Sequence, residues 1–160
     1  MGFAIYPFVV ICLILGLIAQ MTQQADAVPG AGLSGAMENR AQQRAKAAEV
    51  YAAACVEAAF AVAGEVSSAI SVTAYLPAGT KAPLNSGCLT TSASSGRNVY
   101  AYVPAVAGVA GLIRKDTDED LSWYRVSTSG VGINLVTGSS AAISTTIPTG
   151  TVVKWVVANS

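Results

Sequence analysis

The sequence predicts an α+β fold: an N-terminal transmembrane helix, then a long alanine-rich helix packed on a C-terminal antiparallel β-sheet. Three observations predict it. Residues 3–19 form an unbroken apolar run. Residues 36–63 hold no proline and no glycine, and alanine dominates them. From Ser67 onward lie twenty-five of the twenty-seven Ser and Thr residues, in short β-branched runs separated by turn residues.

Residues 1–21 (MGFAIYPFVVICLILGLIAQM) are the expected anchor. About 20 apolar residues span a bilayer core of roughly 30 Å. Phe3, Ile5, Phe8, Ile11, Leu13, Leu15, Leu17 and Ile18 supply the lipid-facing bulk, and no charged side chain precedes Asp26. Pro7 falls in the first two turns, where a helix tolerates it best, and Tyr6 suits the interface. The competing reading is a signal peptide cleaved after Ala27, since Ala25-Asp26-Ala27 has the small-x-small pattern. A signal peptide wants a basic start and an apolar core of about 7–15 residues. Here no Lys or Arg precedes Arg40 and the apolar core is longer, so the retained anchor is the expectation. Arg40 also lies beyond the window that sets membrane orientation.

Residues 22–35 (TQQADAVPGAGLSG) carry Pro29 and three glycines and read as a linker. Ser34 or Gly35 is placed to cap the helix expected over 36–64, with Gly64 at its end. Met37, Ala41, Arg44 or Ala45, Ala48, Ala52 (or Tyr51), Cys55, Ala59 and Val62 recur at spacings of three and four and define one packing face. Most of the charged and amide side chains fall off that face. Its small residues let another backbone approach closely. Over 48–62 the expected partner is the domain's own sheet. Over 37–47 the choice between that sheet and other subunits stays open.

The sheet is expected within 66–160, making 36–160 one periplasmic domain. Strands are predicted at 69–76, 98–103, 109–114, 122–127, 131–137, 141–145 and 151–157, separated by Pro, Gly and Asn turn signals. No second long helix is available for parallel crossovers, so the strands are expected antiparallel. A sheet this small needs the preceding helix to cover its apolar face.

Three cysteines, at 12, 55 and 88, form no C-x-x-C pair. Cys12 sits in the apolar run. Cys55 lies on the helix's packing face and Cys88 in the Gly/Ser/Thr-rich stretch 77–97, read as a loop. Either they form a bridge stapling that loop to the helix, or they are two buried thiols.

Composition excludes several function classes. The nine Lys+Arg balance nine Asp+Glu for a net charge of zero, which argues against nucleic-acid binding. The absence of histidine removes His-dependent triads and His-ligated metal sites. Only 7% of residues are aromatic, poor provision for a small-molecule pocket. Asp116, Asp118, Glu119 and Asp120 are the densest charge. They lack the glycine and distal glutamate of a calcium loop, so they read as a solvated hairpin tip. The glycines of 106–111 (VAGVAG) are followed by no Lys-Ser/Thr pair and read as a turn. Arg97 or Arg125 is a candidate partner for Glu57 or Glu65. No set of residues supplies nucleophile, base and oxyanion site together, so no catalytic residue, metal, cofactor or small-molecule substrate is expected.

An apolar N-terminal segment, a Gly/Pro break, one long helix and a C-terminal antiparallel sheet resembles the plan of type IV pilins and pseudopilins. Two positions depart from it. No basic leader ending in glycine precedes the apolar run, and no glutamate lies a few residues into it, where Ile5 and its neighbours are uncharged. An ordinary major pilin is therefore not expected. The C-terminal half resembles the small PilM proteins of conjugative type IVb (thin) pili. The segments that carry this are GRNVYAY (96–102), GVAGL (108–112), SGVGI (129–133) and IPTGTVV (147–153). The resemblance implies an inner-membrane protein of pilus assembly. Its partners would be other pilus-system proteins or copies of itself, and it brings no catalytic residues.

Overall fold

The computed structural model describes residues 31–159. The eight anchor positions, Cys12 and the cleavage position at Ala27 lie outside them. The chain divides into two units, Met1–Asn39 and Arg40–Ser160. Among the described residues, no helix is long and apolar enough to cross a membrane.

Helix α1 spans Ala31–Ala61. It therefore takes in residues 31–35, expected to be linker, and Ser34 and Gly35 lie within it rather than capping it. Isolated glycines cost a helix roughly 1 kcal/mol each. Propagating an established helix past them remains feasible because the costly step is nucleation. Gly64, at φ +75°, lies just beyond the helix's end.

Among the described residues, six strands form one sheet: β1 Gly87–Ser92, β2 Arg97–Pro104, β3 Trp123–Thr128, β4 Val131–Asn134, β5 Ser140–Ala142 and β6 Thr151–Ala158. Their spatial order is β1-β2-β6-β3-β4-β5, with every neighbouring pair antiparallel. The last strand thus fills the middle of the sheet. It pairs Val99 with Val156 on one side and Trp123 with Lys154 on the other. Val152 and Val153, which point to opposite faces, are both buried. Cover on both faces explains why 151–158 lacks apolar–polar alternation.

Two predicted strands are corrected. Residues 109–114 belong to a helix, α2, Val109–Asp116. Its two buried side chains, Val109 and Ile113, are four residues apart, which is helical spacing; over so short an apolar run, period alone does not separate helix from strand. Residues 69–76 contain a 3₁₀ turn at Thr73–Tyr75 and no strand. Strand β1, hidden within the expected loop 77–97, takes the place beside β2. Residues 67–70 only touch its outer edge, through Ile70 N–H to Cys88 O (2.8 Å) and Thr90 N–H to Ser67 O (2.8 Å).

The larger core lies between α1 and one sheet face. It joins Ala41, Ala45, Ala48, Ala52, Cys55 and Ala59 to Val99, Ala101, Val103, Trp123 and Val152, with α2 closing one side through Val109 and Ile113. A second core lies on the opposite face, where Leu89, Tyr100, Val126 and Val153 are covered by Ile143 and Ile147 from the segment between β5 and β6.

Candidate interaction surfaces

An alanine seam buries little apolar area per residue, on the order of 0.8 kcal/mol for each methyl. Helix α1 is held by two further attachments. One is the disulfide between Cys55 and Cys88, with Cα atoms 5.6 Å apart. Of the two alternatives open in the sequence, the structure holds the bridge. It fastens the C-terminal part of α1 to strand β1, rather than to a loop.

The other is Arg97, 2% exposed, at the start of β2. Its guanidinium donates to the main-chain carbonyls of Ala59 (2.5 Å), Val62 (2.6 Å) and Glu65 (3.0 Å). The last carbonyls of a helix have no intrahelical donor and carry partial negative charge. The last turn of α1 contains no basic residue of its own, so a cation from the sheet serves it. Arg97 thus engages the main chain rather than the carboxylate of Glu57 or Glu65. Arg125 is exposed on β3.

The residues expected on the packing face of α1 divide. Ala41, Ala48, Ala52 and Ala59 are buried. Met37 and Val62 are exposed, at 62% and 41%. Val62 lies just past Ala61, where helical periodicity no longer sets its direction. Tyr51 and Cys55 are the only non-alanine residues of α1 buried in the larger core. Residues 32–40 are exposed throughout, with Leu33 and Met37 among them.

The opposite sheet face carries an aromatic group that the low aromatic content did not suggest. Tyr100 and Trp155 stack with centroids 5.7 Å apart, and Tyr124 tilts against Trp155 at 5.5 Å. The Trp155 indole N–H donates to Asn98 Oδ1 at 2.9 Å. The signal was present in the alternation Asn98, Tyr100, Tyr102, which places all three on one side of β2. Burial pushes the Tyr100 phenol above its ordinary pKa, against a hydrogen bond with Thr91 that acts the other way.

At the end of the sheet, Tyr102 lies over the backbone of Gly87, where a Cβ would overlap its ring. Tyr102, Ser86, Pro104, Pro148 and Thr151 line a cleft of about 510 Å³. The Tyr51 phenol lies close by. Burial raises its pKa, partly offset by a hydrogen bond with Ser86.

The acidic segment connects α2 to β3, not two strands, because 109–116 is helical. Three of its four carboxylates turn to separate cations. Asp116 pairs with Lys46 at 3.1 Å, Glu119 with Arg114 at 3.6 Å and Asp120 with Lys154 at 3.1 Å. Among the described residues, no group of three or more acidic or sulfur side chains is placed to hold a metal ion. Asp120 also accepts from the Ser122 N–H and hydroxyl, both at 2.8 Å. Burial alone would push this carboxyl up, but the Ser122 and Lys154 donors outweigh it and hold it below its ordinary value.

Fold and surfaces together define a disulfide-bridged α+β module whose prominent features are an exposed helix segment and an aromatic sheet face. No protein-family model matches the sequence, and no curated protein does. Among solved structures, the chain is similar to a protein from Escherichia coli B7A that carries the name PilM. The two share 20% identity at a TM-score of 0.49, over 74% of this chain and 92% of that one.

Proposed function

We propose that this protein is a membrane-anchored structural or assembly component of a type IVb pilus, PilM-like, acting through protein–protein contacts. In this reading residues 1–21 hold it in the bacterial inner membrane, the α+β domain lies in the periplasm, and the protein is not an enzyme. The observation that carries the proposal is the division along α1. From Ala41 onward one face is buried in the domain core, whereas residues 32–40 are exposed and include Leu33 at 73% and Met37 at 62%. A helix segment with exposed apolar side chains, following a 17-residue apolar run in the sequence, is suited to contacts with other subunits. The Cys55–Cys88 disulfide fits an oxidising compartment.

The same exposed segment favours a second reading, in which the protein is itself a pilin-like filament subunit. Intact mass and N-terminal sequencing of protein from membrane and sheared-filament fractions, without reductant, separate the two. The full chain confined to membranes is the expected result. Its presence in filaments would make it a subunit. A mature chain beginning at Val28 would overturn both and leave an exported β-rich binding module.

A further inference from the structure

Of the nine Lys and Arg residues, four are engaged: Lys46, Arg114 and Lys154 in ion pairs and Arg97 at the end of α1. The remaining five, all among the described residues, are Arg40, Arg44, Lys81, Lys115 and Arg125. Three of these five gather in one place. Arg40, Gln43, Arg44 and Ala47 form a stripe on α1 at spacings of three and four, and Lys81 and Pro83 face it across a concavity of about 370 Å³. Among the described residues, no carboxylate lines it.

The segment that carries Lys81 is fixed by turns. Thr80 N–H donates to Pro77 O at 2.9 Å, and Ser86 donates to Pro83 O through its N–H (3.2 Å) and its hydroxyl (2.6 Å). Lys81 is thus held near two arginines at the cost of like-charge repulsion. Arginines four apart on a helix already repel one another. An arrangement that concentrates positive charge without a carboxylate is poised for an external anion.

We propose that the concavity formed by Arg40, Gln43, Arg44 and Lys81 binds a phosphate group. Two planar guanidinium forks, an ammonium and an amide N–H₂ offer donors in several directions, which matches a tetrahedral oxyanion. A carboxylate, with two oxygens in one plane and a single charge, would leave more of the site unsatisfied. The phosphate belongs either to an anionic lipid headgroup or to a free phosphate ion. The site lies wholly within the unit Arg40–Ser160, so it stands independently of the pilus reading.

The test uses the full chain in neutral detergent micelles. Inorganic phosphate is titrated in one arm and phosphatidylglycerol is added to the micelles in the other, while the Arg44 side-chain Nε–H and the Lys81 amide are followed by NMR. Saturable shifts are expected in at least one arm, with weaker binding at higher ionic strength. Response to both probes, or to free phosphate alone, identifies a general phosphate site; response to phosphatidylglycerol alone identifies the headgroup. The R44Q/K81Q variant should weaken binding at least about tenfold, with near-UV circular dichroism unchanged. R125Q, which removes an unpaired cation elsewhere, should bind as the parent does. Silence in both arms, or equal losses in R125Q and R44Q/K81Q, would overturn the proposal. So would binding of a glutamate-rich peptide in place of either phosphate probe.

Discussion

Arg97 donates from the first residue of β2 to the carbonyl of Val62, just past the end of α1, at 2.6 Å. Together with its bonds to Ala59 and Glu65, this makes one buried guanidinium the donor for a helix end that has no basic residue of its own. Hydrogen bonds to a charged group contribute more than neutral ones, and a cation at a helix C-terminus adds a favourable dipole term. Arg97→Ala is therefore expected to cost about 2–4 kcal/mol in denaturant unfolding. Amide exchange should show the last turn of α1 opening before the sheet. Loss of stability without selective opening would argue against the capping role.

The Cys55–Cys88 bridge closes a loop between residues 33 apart in sequence. The chain-entropy account assigns such a loop about 3–4 kcal/mol. The double variant C55S/C88S should unfold at correspondingly lower urea concentration, and the parent should fall to match it in reductant. A reductant effect of equal size in C55S/C88S would place the sensitivity elsewhere.

Gly87 and Tyr102 are a coupled pair. A methyl on Gly87 would overlap the Tyr102 ring, so Gly87→Ala should cost about 1–3 kcal/mol. Removing the ring removes the clash. In the double variant G87A/Y102A, the added cost of the alanine should largely vanish, a coupling that a double-mutant cycle measures directly. Additive effects would show that the ring moves aside freely.

Asp120 links the start of β3 to β6 through Ser122 and Lys154. Its carboxyl is held below the ordinary value of 3.8 in the folded state. A depressed folded pKa contributes stability above the unfolded value, lost as pH falls through the folded one. Both partners are partly exposed, so the pair contributes no more than about 1 kcal/mol. Asp120→Asn should remove that contribution at neutral pH and flatten the stability profile below about pH 4. An unchanged acid limb would assign it to other carboxylates.

Glycines mark four short segments, 96–102, 108–112, 129–133 and 147–153. Gly96, Gly108, Gly130 and Gly150 all adopt positive φ. At Gly96 the requirement is strict, because a Cβ would overlap the carbonyl oxygen of Ala158. Gly96→Ala should destabilise the β1–β2 turn more than Gly87→Ala destabilises its strand, since backbone cannot swing aside as a side chain can. Equal costs in thermal unfolding would contradict this.

Local patterns were legible wherever local physics decides them. Alanine content over residues 36–61 specifies a helix, and turn residues around 98–103 and 151–157 bracket strands that the structure places within β2 and β6. Alternation on β2 set Val99, Ala101 and Val103 against Tyr100 and Tyr102, and the two sets line opposite cores. Short or polar segments were not legible. The strand around Cys88 reads as loop because Thr and Ser fill it, yet pairing with β2 and burial beneath α1 make it a strand. Residues 109–116 form a helix because four-residue spacing lets Val109 and Ile113 enter the core together.

Among the described residues, the sequence by itself determined the α+β class, because helix propensity and apolar period act within a few residues of one another. Only the tertiary structure decided that β6 lies at the centre of the sheet, that Arg97 serves the end of α1 and that Cys55 meets Cys88. It alone also gathered Arg40, Arg44 and Lys81 around one concavity. Each of these joins residues far apart in the chain, and only packing of the completed sheet against α1 brings them within reach.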